Sequence, residues 1–297
     1  MSPHFKSHLQ LHFCVVLWGF TAILGALIHL PATALVFWRM WIVAFALACI
    51  PRVAKGLWKL PRRLWGIYSG IGVLVALHWL SFYGAIKLAN ASIAAACLGV
   101  AAAFVAFIEP MLTRTRFERR RLWLGLAVIP GVALVAQGIL PEQRLGLLAG
   151  ILSAFFVALF GTLNKRYGSA ADAAVVSAVE MGAGAAFLTV LLPLLPHQGA
   201  SFPIPDQHDI VLLLLLSLVC TALPFTLAVH ALRGMSAFSA QLAVNLEPVY
   251  AVALAALLLG DTRQLTPLFY VGVAILLAAV FLSPMLERKP AALIVPP

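Results

Sequence analysis

Residues 209–231 read DIVLLLLLSLVCTALPFTLAVHA, with one formal charge, Asp209, at the leading edge. A helix rising 1.5 Å per residue crosses a hydrocarbon core of about 30 Å in roughly 20 residues, so this run is long enough to span a bilayer. Lipid offers the backbone no hydrogen-bond partners, and only a helix satisfies them within a single run. Nine further runs of this kind occupy 9–29, 32–50, 65–86, 90–113, 122–140, 145–163, 172–195, 236–259 and 265–285. The connections are short and leave no room for a separate soluble domain. Composition agrees: 63% hydrophobic and 10% charged residues, with a mean hydropathy of +1.03, leave too little polar surface to coat a soluble globule of 297 residues. The expected fold is therefore an all-α integral membrane protein of ten transmembrane helices, with its function inside the bundle.

The net charge of +10 and the basic runs Arg52 to Arg63 and Arg114 to Arg121 resemble phosphate-binding patches at first sight. Their distribution gives another reason for them. Alternating the connections between two sides places Lys6, the Arg52–Arg63 and Arg114–Arg121 groups, Lys165, Arg166, Arg233, Arg288 and Lys289 together, 16 of the 20 Lys and Arg. Lys87, Arg144 and Arg263 fall on the other side, and Arg39 lies within a span. This is the positive-inside pattern, which predicts cytoplasmic N- and C-termini and no nucleic-acid partner. The partners expected instead are the lipid bilayer and a small-molecule substrate, in a monomer or homodimer. Cys14, Cys49, Cys97 and Cys220 lie in separate spans without a CxxC pair and read as small packing residues. The first apolar stretch is too long for a signal-peptide core and is kept as a span.

Five spans per half allow an inverted duplication, because an odd number of helices flips the second copy. Leu17-Trp18-Gly19-Phe20-Thr21 echoes Leu159-Phe160-Gly161-Thr162. Ala91-Ser92-Ile93-Ala94-Ala95 echoes Ser236-Ala237-Phe238-Ser239-Ala240, and Gly125-Leu126-Ala127-Val128-Ile129 parallels Gly272-Val273-Ala274-Ile275-Leu276. The order and offsets agree. With Phe37-Trp38-Arg39-Met40 and the mid-helix proline of Leu246-Glu247-Pro248, these elements resemble the EamA-type transporters of the drug/metabolite transporter superfamily over essentially the whole chain. The resemblance implies a carrier in a bacterial plasma (inner) membrane, built as a 5+5 inverted-topology repeat around a central cavity and exporting amino acids or other small metabolites. The expected divisions are 1–141 and 142–286 for the two repeats and 287–297 for a disordered cytoplasmic tail. One departure is visible: Ala103 stands near where the second half has Pro248, so unequal bending of the two halves is expected.

Ionisable groups deep in a bilayer persist where they face a cavity, the bundle interior or one another. Glu109, close to Arg114 at the end of a span, reads as a local pair or a snorkelling side chain. Arg39, Glu180 and Glu247 lie deeper, one cation for two anions. If Arg39 pairs with one carboxylate, the other is left without a charged partner and is a candidate proton carrier; a structural ion pair with a hydrogen-bonded neutral glutamate is the alternative. In span 9, Gln241, Asn245 and Pro248 share a helical face, with Glu247 about 200° from Asn245. Gln241 and Asn245 read as site residues or as interhelical hydrogen-bonding glue.

In span 3, His78, Trp79, Phe82 and Tyr83 fall within an arc of roughly 140°. They form either an aromatic cavity wall or an interfacial belt, and His78 lies too deep for the belt. Trp18 and Phe160, at matching places in the two halves, are further candidates for this wall. Gly66, Gly70, Gly182 and the small residues Ser92, Ala95, Ala96, Gly99 and Ala103 are expected to allow close helix approach.

An intramembrane enzyme would need a nucleophile with its base or a metal cluster. No HExxH, GxSxG or phosphate-cradling glycine loop is present, so no catalytic residue, metal ligand or cofactor is expected. A channel lacks its rings of like polar residues. A lipid or lipid-precursor flippase is the nearer alternative, because the same bundle can open sideways. The favoured reading is a secondary active transporter working by alternating access, with spans 3 and 9 lining its site.

Overall fold

Long apolar runs with good helix formers become helices wherever no proline or glycine intervenes. The computed structural model describes residues 3–135, 141–194, 200–247 and 249–250, with isolated positions at 254, 271, 274, 275 and 278. Its regular elements are all helical among the described residues: α1 Pro3–Leu27, α2 Ala32–Ala48, α3 Pro51–Lys59, α4 Arg62–Leu88, α5 Ala91–Leu98, α6 Ala101–Thr113, α7 Arg119–Val135, α8 Arg144–Tyr167, α9 Ala173–Leu191, α10 Gln207–Leu214, α11 Leu223–Ala231 and α12 Ala237–Val244. Apart from those isolated positions the tenth expected span lies outside the described residues, as do the cytoplasmic tail, Pro248, Arg263, Arg288 and Lys289.

Among the described residues, five helical stretches are long and apolar enough to cross a membrane: Phe5–Leu27, Arg62–Leu88, Arg144–Tyr167, Ala173–Leu194 and Gln207–Gly234. A sixth arises if α2 and α3 are counted together, although they are bent by 93° at their junction. Pro51 occupies the first helical position of α3 and disfavours a helical residue before it, so the chain turns there. The basic stretch expected as a loop after Arg52 is thus an amphipathic helix, with Trp58 exposed. Gln207–Gly234 is one rod whose middle, Leu215–Ala222, widens into a π-helix. Pro224 brings no N–H for the carbonyl one turn earlier, and a wider turn accommodates its ring.

The fourth expected span is interrupted. Residues 99–100 form a turn between α5 and α6, with Val100 N bonded to Cys97 O at 3.1 Å and Ala103 N to Val100 O at 3.0 Å. The ninth breaks at 245–246, where Asn245 N reaches Leu242 O at 3.2 Å and Leu246 N reaches Ala243 O at 3.1 Å. Asn245 and Leu246 stand 146 positions after Gly99 and Val100. The two spans are therefore interrupted at corresponding places, the first at Gly99 and Val100; the comparison of Ala103 with Pro248 cannot be made here because Pro248 lies outside the described residues.

The helix α4 runs through the centre and packs on α8 and α9, while α2 packs on α9, α6 on α8 and α1 on α11. The closest approach is at Gly72, where a Cβ would fall inside the van der Waals envelope of the Glu180 carbonyl. Gly66 and Gly70 have open space beside them, and Gly182 meets only the Ala44 methyl at 3.9 Å, so the expected packing glycines are corrected to Gly72 and its neighbour Gly184. Cys14, Cys97 and Cys220 are buried and free, whereas Cys49 is exposed at the end of α2. Outward-facing Phe45, Leu148, Val190 and Val211 present the apolar surface that lipid covers.

The bundle has two distinct ends. At the basic end Arg52 pairs with Asp172, Arg233 Nη2 reaches Gly168 O at 3.0 Å, and Lys165 Nζ reaches Leu232 O at 2.8 Å. At the far end Lys87 Nζ reaches Ile28 O at 2.6 Å, and Asp209 accepts from the backbone of residues 29 and 30.

Candidate functional site

Where α1, α2, α4 and α6 of the first half meet α8, α11 and α12 of the second, they enclose a cavity of about 120 Å³. Taking roughly 10–15 Å³ for a single water on this measure, it holds about ten waters or one small organic molecule. Trp18, Trp79, Phe82, Phe160 and Phe225 give it aromatic walls, and Arg39, His78, Asn164, Gln241 and Glu247 supply polar groups.

Arg39 is 2% exposed. Its Nε donates to Thr221 Oγ1 at 2.8 Å and its Nη1 to Tyr83 Oη at 2.6 Å, while the guanidinium carbon lies 3.8 Å from the Trp79 ring centroid. Among the described residues no carboxylate approaches within 4.0 Å, so the pairing with Glu180 or Glu247 considered from the sequence is absent. Hydroxyls and a ring face hold the cation in place of a counter-ion. Thr221 belongs to the π-helical turn, which is how that irregularity positions the charge.

His78 Nδ1 lies 3.0 Å from Ser153 O and 2.8 Å from Ser153 Oγ on α8. A carbonyl only accepts, so Nδ1 carries the hydrogen, and a neutral ring then offers Nε2 as an acceptor. The ring sits 5.4 Å from Phe160 and 6.2 Å from Phe82, centroid to centroid.

The regular 3.6 period predicted Gln241 on one face with Asn245, and Glu247 on another. Gln241 and Glu247 both line the cavity, whereas Asn245 is fully buried outside its lining. Among the described residues Gln241 Nε2 has no hydrogen-bond partner, and neither does Asn164 Oδ1 on the opposite wall.

Three other expected site residues stand behind the cavity. Tyr83 is fully buried and serves Arg39. Glu180, also fully buried, accepts from Asn164 Nδ2 at 3.2 Å. Asn245 has no partner for either amide atom among the described residues. Glu109 departs furthest from expectation. Its oxygens accept from Ala237 N at 2.8 Å, Phe238 N at 3.1 Å and Arg121 Nη1 at 3.1 Å, so it anchors the first turn of α12 rather than pairing with Arg114. A carboxylate there also meets the positive end of the helix dipole.

Sequence reasoning missed Asn164, Ser153, Thr221 and Phe225. Thr221 is a lone polar side chain in an apolar run, and Pro224 beside Phe225 marked the irregular turn; Asn164, one position beyond the expected span 145–163 and beside Lys165, carried no signal, nor did Ser153.

The model of the EamA-like transporter family matches residues 6–137 and again 144–285. No curated protein matches the chain. Among solved structures, a chain titled "Crystal structure of protein" is similar with a TM-score of 0.71 at 17% identity, over 96% of this chain and 99% of that one, which is likeness of fold alone. Two matches in tandem cover most of the sequence, with helices able to cross a membrane in each: the chain belongs to the EamA-like transporter family, and is a multi-pass membrane transporter of the drug/metabolite superfamily.

Proposed function

We propose that the chain is a secondary active transporter that exports amino acids or similar small zwitterionic metabolites across the bacterial inner membrane by alternating access. In this reading ten transmembrane helices form two inverted five-helix halves that meet near residues 141 and 142, with both termini cytoplasmic. Internal duplication makes a monomer sufficient.

The observation that carries the reading is a cavity between the halves bearing one buried cation, Arg39, and one buried anion, Glu247, with no ion pair between them. Buried charges are costly unless partnered, and a zwitterion supplies both partners at once. The substrate carboxylate meets Arg39 and its ammonium meets Glu247. Its side chain lies among Trp18, Phe82 and Phe160, while His78 Nε2 and Gln241 Nε2 take the remaining polar groups. A proton replaces the ammonium on Glu247 when the substrate leaves, which couples the two fluxes. A lipid flippase is less well supported, because among the described residues Arg39 is the one formally charged basic side chain that lines the cavity.

The test is uptake of radiolabelled amino acids, aromatic ones included, into proteoliposomes holding the purified protein, with and without a pH gradient. Saturable, gradient-dependent flux that is lost in Arg39→Gln and reduced in His78→Ala is expected. Equal flux in liposomes with and without the protein, for every amino acid offered, sinks the substrate class.

A further inference from the structure

At the far end of the bundle, His29 and His208 bring their rings to 4.9 Å between centroids, stacked at 24°. Between them lies the Asp209 carboxylate: His208 Nδ1 is 3.2 Å and His29 Nδ1 3.6 Å from Oδ1. The imidazole side chains are 73% and 52% exposed for His29 and His208, and the Asp209 side chain is 3% exposed. One ligand atom from each of the three residues fits within 4.8 Å of the others.

The carboxylate is preset. Asp209 Oδ1 accepts from His29 N and Oδ2 from Leu30 N, each at 3.0 Å. Backbone donors of this kind orient a metal ligand and leave a lone pair on each oxygen. With bonds of about 2.0–2.2 Å, tetrahedral ligands stand roughly 3.3–3.5 Å apart, which the two measured nitrogen–oxygen separations bracket. Exposed rings can rotate by the small amount that closes the third edge. Lys87, the cation on the neighbouring end of α4, is held on Ile28 O at 2.6 Å and makes no ion pair with Asp209 within 4.0 Å.

We infer that His29, His208 and Asp209 form a site for a borderline divalent transition metal such as zinc. Two imidazoles and one carboxylate suit such an ion better than magnesium or calcium, which prefer oxygen alone. The site joins the halves: His29 comes from the segment between α1 and α2, and His208 and Asp209 from the start of α10. A bound ion clamps the two segments together at the far end, where Asp209 already holds the backbone of residues 29 and 30. Opening that end requires breaking metal bonds as well as the two backbone bonds to Asp209. The consequence for turnover, slower transport in external zinc, rests on the transport reading above.

The experiment uses the full chain without a polyhistidine tag, stripped with a chelator and titrated with zinc alone in detergent micelles. One equivalent binds, the unfolding temperature rises, and the amides of His29 and Leu30 exchange hydrogen more slowly. His29→Gln and His208→Gln each weaken binding at least tenfold and leave the metal-free unfolding temperature unchanged. No binding by the wild type, or equal binding by both variants, overturns the site; binding without slower exchange overturns the clamp. In proteoliposomes, external zinc slows wild-type flux but not that of the variants, and zinc-insensitive wild-type flux overturns the effect on turnover. Zinc binding with no flux of any amino acid would overturn the transport reading and leave the clamp standing.

Discussion

The two interrupted spans, residues 91–113 and 237–250, occupy equivalent places in the two family repeats and break 146 positions apart. They are used differently. Around the first break the buried side chains include Ala95, Cys97, Leu98, Ala101 and Ala102, none of them charged, and the segment packs closely against α7 and α8. Around the second stand Gln241, Asn245 and Glu247, all buried, and Gln241 and Glu247 line the cavity. Each span also carries one buried glutamate. Glu109 is saturated by two backbone N–H groups and Arg121, whereas Glu247 makes no ion pair among the described residues. The interruption has thus kept its position in both copies, while polar side chains gather around the second alone.

Substitutions in the two spans should separate these roles. The largest effect is expected for Glu247→Gln, which keeps the shape and removes the charge: gradient-driven amino-acid uptake falls by about a hundredfold, as for loss of a buried charge partner. Wild-type rates in that variant would place coupling elsewhere. Glu109→Ala should instead act on the fold, since it leaves two backbone donors of α12 unpaired and Arg121 with Glu118 alone; a loss of about 3 kcal/mol, read as a lower unfolding temperature in detergent, is expected with KM unchanged. Gln241→Ala removes one polar contact from the cavity and should raise KM roughly tenfold, in line with a single buried hydrogen bond of about 1.4 kcal/mol. Unchanged KM would assign Gln241 to packing. Gly99→Ala is expected to do least, altering stability by less than about 1 kcal/mol. A larger loss in thermal unfolding would mean that the first break is as specialised as the second.

Much of this arrangement is legible along the chain. The apolar runs, their lengths and the placement of the basic residues depend on neighbours within one or two turns, and they mark where helices run and which end carries the basic charge. Trp18, Arg39, His78, Trp79, Phe82, Phe160, Gln241 and Glu247 were singled out from their types and positions, and all eight line one cavity. The Gly99 break was hidden because the surrounding alanine-rich sequence favours helix throughout.

The partners of the buried charges lay further out of reach. Counting one cation against two anions invites an ion pair, yet Arg39 is held by Thr221 and Tyr83, 182 and 44 positions away. Glu109 meets Ala237 at a separation of 128 residues, and Asp209 meets His29 at 180. Chain-local rules carry helix length, amphipathic face and sidedness, because those follow from the backbone repeat and the solvent. Which side chains meet across helices depends on how the helices cross, and that follows from close approaches such as Gly72 on Glu180, which are properties of the packed bundle alone.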